Sequence, residues 1–194
     1  LLRLLLSIVG ASLPVHFNQL PLTAEQMDLS NLIPPIDENT LHRVAQPFHR
    51  FDALWYEAVG QTNYASLPAA TAFFPLYPRI VAAISTLLNS PFYITAFFFN
   101  TILMIIMLWL FYRLVAIEYG KRFAQEATVM YAVFPTSFFF LAPYAEGLLM
   151  TLIFAVLLAA LKKKYLLASV LGMFAAMTKP YGFIVAIPLA FIIL

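Results

Sequence analysis

The chain contains no cysteine, which excludes disulfide bonds, thiolate catalysis and cysteine-based metal centres. It is also poor in charge, with Asp, Glu, Lys and Arg making up 10% of its 194 residues. No small-residue cleavage site follows the apolar N-terminal run, so a retained helix is the better reading there than a signal peptide. What the chain has in excess is apolar surface: 63% of residues are hydrophobic and 16% aromatic. That balance excludes a soluble globular domain and points to a polytopic membrane protein. The net charge of +2 says little about partners, because in a membrane protein the placement of basic residues carries the information. No nucleic acid is expected among them.

Residues 1–13 are apolar apart from Arg3 and Ser7, too few to cross a hydrocarbon core that takes roughly 20 residues. They read as the outer end of a truncated transmembrane helix, and the chain as the N-terminal part of a longer membrane domain. Residues 14–91 differ in character, holding Glu25, Asp28, Asp37, Glu38, Asp52 and Glu57, every histidine and most of the prolines. They read as a long extracytoplasmic loop carrying interfacial helices, with Asn31 and Glu57 open to water. The basic clusters Lys121-Arg122 and Lys162-Lys163-Lys164 belong on the cytoplasmic side by the positive-inside rule. Counting from them gives about five transmembrane helices in residues 92–194, over 92–115, 123–141, 144–161, 165–178 and from Phe183 onward. Residues 76–89 then lie on the outer interface.

The stretch from Ala127 to Leu161 carries one charge, Glu146, and is too long for a single crossing. A hairpin is expected, broken at Ala142-Pro143, with Pro135 kinking its first arm. From Lys164 to Lys179 a helix rises about 22 Å, short of a core roughly 30 Å thick. Lys179 should therefore lie just below the outer headgroups, where Pro180 and Gly182 break the helix.

Several residues stand out chemically. Asp52, in Arg50-Phe51-Asp52-Ala53-Leu54-Trp55-Tyr56, precedes a short helical pattern that runs to about Val59 and stops at Gly60. It reads either as an N-cap or as a carboxylate held for chemistry, with Trp55 and Tyr56 one turn on. Glu146 and Lys179 are ionisable groups at membrane depth, costly there and functional candidates on that ground. The plainer alternatives are a mutual ion pair, or for Lys179 a snorkel to the interface. Arg113 reads as snorkelling, and Phe97-Phe98-Phe99 and Phe138-Phe139-Phe140 as lipid-facing packing. His42 and His49 have no spacing that imposes a metal, and no metal site is expected.

Together, Arg50-Phe51-Asp52-Ala53-Leu54-Trp55-Tyr56, Ala72-Phe73-Phe74-Pro75-Leu76-Tyr77-Pro78, Pro143-Tyr144-Ala145-Glu146 and Thr178-Lys179-Pro180-Tyr181-Gly182 resemble the PIG-V family of GT-C glycosyltransferases, over residues 50–182. Lys179 stands where that family usually has Arg. In eukaryotes its members add the second mannose of the GPI anchor. The resemblance implies an all-α, GT-C-like bundle in a bacterial plasma membrane or the endoplasmic reticulum, with its active site on the extracytoplasmic or lumenal side. It implies transfer of a sugar, mannose by expectation, from a polyprenyl or dolichyl phosphate donor to a lipid-linked or glycan acceptor with inversion, without cofactor.

Under that reading one base suffices for a single in-line displacement, and Asp52 fills the role. The lipid phosphate leaves without a general acid but needs a cation. Lys179 supplies it, with Arg50 and Arg79 as helpers. Trp55, Tyr56 and Tyr77 become walls for the sugar or the prenyl chain, unless they anchor the interface. Glu146 is expected to face the same cavity as Asp52 and Lys179. A competing class is a transporter or flippase fragment with Glu146 and Lys179 in its translocation path, although the long outer loop suits an enzyme better. An acyltransferase would want a histidine within the membrane, and all three lie in the loop.

Overall fold

The computed structural model describes residues 48–62, 64 and 68–193. The expected helix at residues 1–13 and the first part of the outer loop, with Asn31 and His42, lie outside them. The described backbone is helical, with no strand, as an all-α fold requires. It divides into two compact units: residues up to Phe99 with Leu141–Tyr144, and Asn100–Phe140 with Ala145–Leu194.

In the first unit, helix α1 (Asp52–Gln61) buries Ala53, Leu54 and the run from Tyr56 to Gly60, so it is enclosed on nearly every side. Its partner is α2 (Leu76–Leu88). Gly60 does not stop α1; it lies inside the helix, where an added Cβ would come within 2.7 Å of the Phe92 ring and 3.1 Å of the Pro78 carbonyl. Glycine serves here for close approach. Asn89 closes α2 in the left-handed region at φ 46, a conformation asparagine tolerates. The Ser90 and Asn89 amides bond the Ser85 and Thr86 carbonyls at 3.0 and 3.3 Å, the bonding pattern of a Schellman motif.

After Pro91 begins α3 (Phe92–Tyr119), a 28-residue helix about 42 Å long. It is the one described helix long and apolar enough by itself to cross a membrane, with a mean hydropathy of 2.2 over its best window. In the second unit follow α4 (Lys121–Val133), a short α5 (Phe138–Leu141, whose last residue belongs to the first unit), α6 (Glu146–Leu161), α7 (Tyr165–Ala176) and α8 (Ala186–Ile193). Pro135 interrupts the backbone as expected: Phe134 is extended and a 3₁₀ turn, Pro135–Ser137, separates α4 from α5. The break expected at Ala142-Pro143 is present, between α5 and α6. Segment Pro135–Leu141 meets α6 at 96°, a right-angled bend, because the residues after Leu141 turn without a helix of their own.

Small side chains set the spacing of α6 and α7. Ala159, Ala160, Ala168 and Ala175 are buried with Leu149, Val156 and Val185, and such small residues let helix backbones approach closely. Lys163, at φ 58, ends α6 with the Lys164 amide bonding Ala159 at 2.9 Å and the Lys163 amide bonding Ala160 at 2.8 Å. A second cluster joins Met107 and Leu110 of α3 to Phe154 and Leu158 of α6. Thr151 secures that contact, donating its hydroxyl to Gly147 at 2.7 Å and Leu103 at 3.3 Å.

Candidate functional site

Asp52 is the first residue of α1, and Phe51, not Asp52, holds the cap position, with φ 53 and ψ −124. The capping role is thus corrected: no side-chain cap bond closes this terminus. Among the described residues no hydrogen bond or ion pair engages the Asp52 carboxylate, which is half-exposed. The turn before it is tied down by the Ala53 amide on the Arg50 carbonyl and the Leu54 amide on the Phe51 carbonyl, both at 3.1 Å. Tyr144 donates its hydroxyl to that same Arg50 carbonyl at 3.2 Å.

The aromatic residues around Asp52 divide by burial. Tyr56 and Tyr77 are 1% and 0% exposed, packed edge-on with ring centres 5.1 Å apart. Tyr56 also meets Phe73 edge-on at 5.2 Å, and Tyr77 contacts Phe99 at 6.2 Å. Neither offers a ring face to a sugar, so both are corrected from substrate walls to the packing that joins α1 to α2. Trp55 is half-buried and stacked on Phe73 at 5.7 Å. Arg79 is exposed and donates to the Thr62 carbonyl at 2.7 Å. Arg50 is partly buried, and burial lowers its pKa from the ordinary arginine value.

One constellation in this unit escaped the sequence reading. Glu57, expected to face water, is 1% exposed. Its Oε2 is hydrogen-bonded to His49 Nε2, and its Oε1 accepts from Gln61 Nε2 at 3.0 Å. The His49 ring lies 4.9 Å from that of Tyr93. The available signal was Glu57 set among Tyr56, Ala58 and Val59, with Gln61 one turn on. The described residues contain no cluster of three or more His, Cys, Asp or Glu able to hold a metal.

In the second unit, Lys179 and Glu146 are brought together. Lys179 follows α7 in extended conformation, φ −151 and ψ 155, as Pro180 demands of its predecessor; a 3₁₀ turn, Pro180–Val185, comes next. Thr178, fully buried, returns its hydroxyl to the Phe174 carbonyl at 2.8 Å. Lys179 Nζ donates to Glu146 Oε1 and stands 5.7 Å over the Tyr181 ring, within cation–π range. Glu146 is the first residue of α6. The side chains are 12% and 23% exposed, so removing either partner leaves a largely shielded charge. Glu146 Oε2 is buried with no hydrogen-bond partner among the described residues, and the ammonium has donors beyond the one given to Glu146.

The site residues therefore fall into two groups. Asp52, Arg50, Trp55, Tyr56, Tyr77 and Arg79 lie in the first unit, Glu146 and Lys179 in the second. The chain matches no family model, no curated protein and no solved structure.

Proposed function

We propose that the chain is part of a polytopic membrane glycosyltransferase of the GT-C, PIG-V-like kind. In this reading it transfers a sugar, mannose first among candidates, from polyprenyl or dolichyl phosphate to a lipid-linked or glycan acceptor with inversion. The observation that carries the proposal is the Lys179–Glu146 pair, set in a break between apolar helices with unspent hydrogen-bonding capacity on both partners. A lipid phosphate at such a break keeps its chain in apolar surroundings and its charge on the ammonium. Large exposed apolar side chains along α3, including Ile102, Ile105 and Trp109, suit a lipid-facing surface. Asp52, free of a capping bond, acts as the base that takes the acceptor hydroxyl's proton. Trp55 remains the aromatic wall, and Arg50 and Arg79 the supporting cations.

A second reading, a transporter or flippase, is favoured by one observation: the 96° bend between Pro135–Leu141 and α6, since broken helices with ionisable residues line transport paths. Measuring binding of polyprenyl phosphate mannose to the full chain tests the phosphate site, and transfer to an acceptor against passage across the bilayer separates the two readings. Lys179→Gln should weaken binding about tenfold or more by removing a charge-assisted hydrogen bond, while Lys179→Arg should retain it through a guanidinium fork. Unchanged binding in Lys179→Gln would remove the phosphate site.

A further inference from the structure

Phe51 is a non-glycine residue at φ 53, a conformation in which a Cβ crowds the backbone. It sits immediately before Asp52, with no glycine to relieve it. Such strain persists only where surrounding contacts over-determine the local structure, and it concentrates at functional positions. Two contacts grip the chain just ahead of it. Tyr144 holds the Arg50 carbonyl, and Glu57 holds the His49 side chain.

The Glu57 contact is the more committed one. Glu57 lies inside α1, on the buried side, and His49 lies outside the helix on the chain that leads into it. Their hydrogen bond closes a loop around Phe51 and Asp52. Both side chains are almost fully buried, at 2% and 1% exposure, and Gln61 fixes the other carboxylate oxygen from one turn further along. A buried carboxylate is costly unless its lone pairs are met. A leucine at position 57 would fill the same space without that cost.

We propose that Glu57 is a positioning residue for Asp52: through His49 it holds the turn with Phe51 at positive φ, and so fixes where the Asp52 carboxylate is presented. This rests on the reading of Asp52 as the base. Without the brace, Phe51 relaxes to negative φ and the first turn of α1 frays.

The test uses the full chain in proteoliposomes, with hydrogen exchange at the Ala53 and Leu54 amides and mannose transfer from polyprenyl phosphate mannose to membrane glycolipid. Glu57→Met keeps the volume and removes both acceptors; His49→Phe keeps a ring against Tyr93 and cuts the same bond from the other side, should Glu57→Met fail to fold. Either variant should speed exchange at the two amides on the order of tenfold, the population ratio that one residue held in a sparsely populated positive-φ conformation represents. The amides of α6 and α7 should be unaffected. Transfer should show kcat lowered by a similar factor with donor KM unchanged. Adding Phe51→Gly should return both readouts toward wild type, because glycine takes positive φ without steric cost. Exchange that stays unchanged or rises uniformly, or a double variant no better than the single one, overturns the brace. Asp52→Asn run alongside keeps the two claims apart: wild-type transfer in that variant removes the base, while the exchange pattern still decides the role of Glu57.

Discussion

Gly182 is where the Lys179 segment turns back most tightly on α7. A Cβ there would overlap the Ala175 carbonyl, and a backbone atom cannot step aside as a flexible side chain can. Gly172, inside α7, has only Val185 Cγ1 at 3.9 Å from its hypothetical Cβ. Gly182→Ala should therefore destabilise by about 1–3 kcal/mol, as overpacking does, whereas Gly172→Ala should be neutral or gain up to about 1 kcal/mol of helix propensity. Melting temperatures in detergent check this, and equal shifts in the two variants would refute the close approach. The sequence marked Gly182 as a helix breaker, which its 3₁₀ context supports, but close approach is a property of the partner backbone and has no local signature. The same holds for Gly60. Residue polarity misled more directly at Glu57, which composition placed in water. Its burial depends on His49 and Gln61 meeting it from two directions, and only the folded chain brings them there.

Among elements, proline positions were the most legible features. Pro135 separates α4 from α5, Pro91 precedes α3, and Pro180 sets the extended Lys179, each following from the missing N–H and fixed φ. The angle between elements was less so. The break after Leu141 lies where Ala142-Pro143 put it, but the 96° between Pro135–Leu141 and α6 had no sequence signal, because a break in the apolar pattern gives the place of a bend and not its size. Under the proposed membrane reading, the side on which each connection lies follows from the basic clusters and can be measured. Thr71, in the 3₁₀ turn Pro68–Ala72, and Lys163, between α6 and α7, are both exposed. A cysteine at position 71 should react with a membrane-impermeant thiol reagent from outside, and one at 163 should react only after permeabilisation. Reversed labelling would invert the topology. Glu57 is a poor reporter for this purpose, since its side chain is buried.

At the scale of the whole chain, the helical character of the described residues was legible from composition: 63% hydrophobic residues in long apolar runs favour helices. The pairing of Glu146 with Lys179 was legible too, as the plainest fate of two opposite charges in apolar surroundings. What the sequence could not separate was packing from recognition among the aromatics. Trp55, Tyr56 and Tyr77 are alike in residue type and all fall in the outer-loop segment, yet burial commits the tyrosines to the α1–α2 contact and leaves Trp55 half-exposed. The proposed chemistry concentrates on Asp52. Asparagine preserves its shape, and no capping bond is lost with the charge, so a defect in Asp52→Asn reports on proton transfer and not on helix formation. The decisive measurement is label transfer from polyprenyl phosphate mannose into membrane glycolipid by the full chain in proteoliposomes, wild type against Asp52→Asn at equal folded protein. The account predicts transfer by the wild type and a loss of about 10²–10⁴-fold in the variant. Donor carried across the bilayer without transfer, or equal transfer by both proteins, would contradict it.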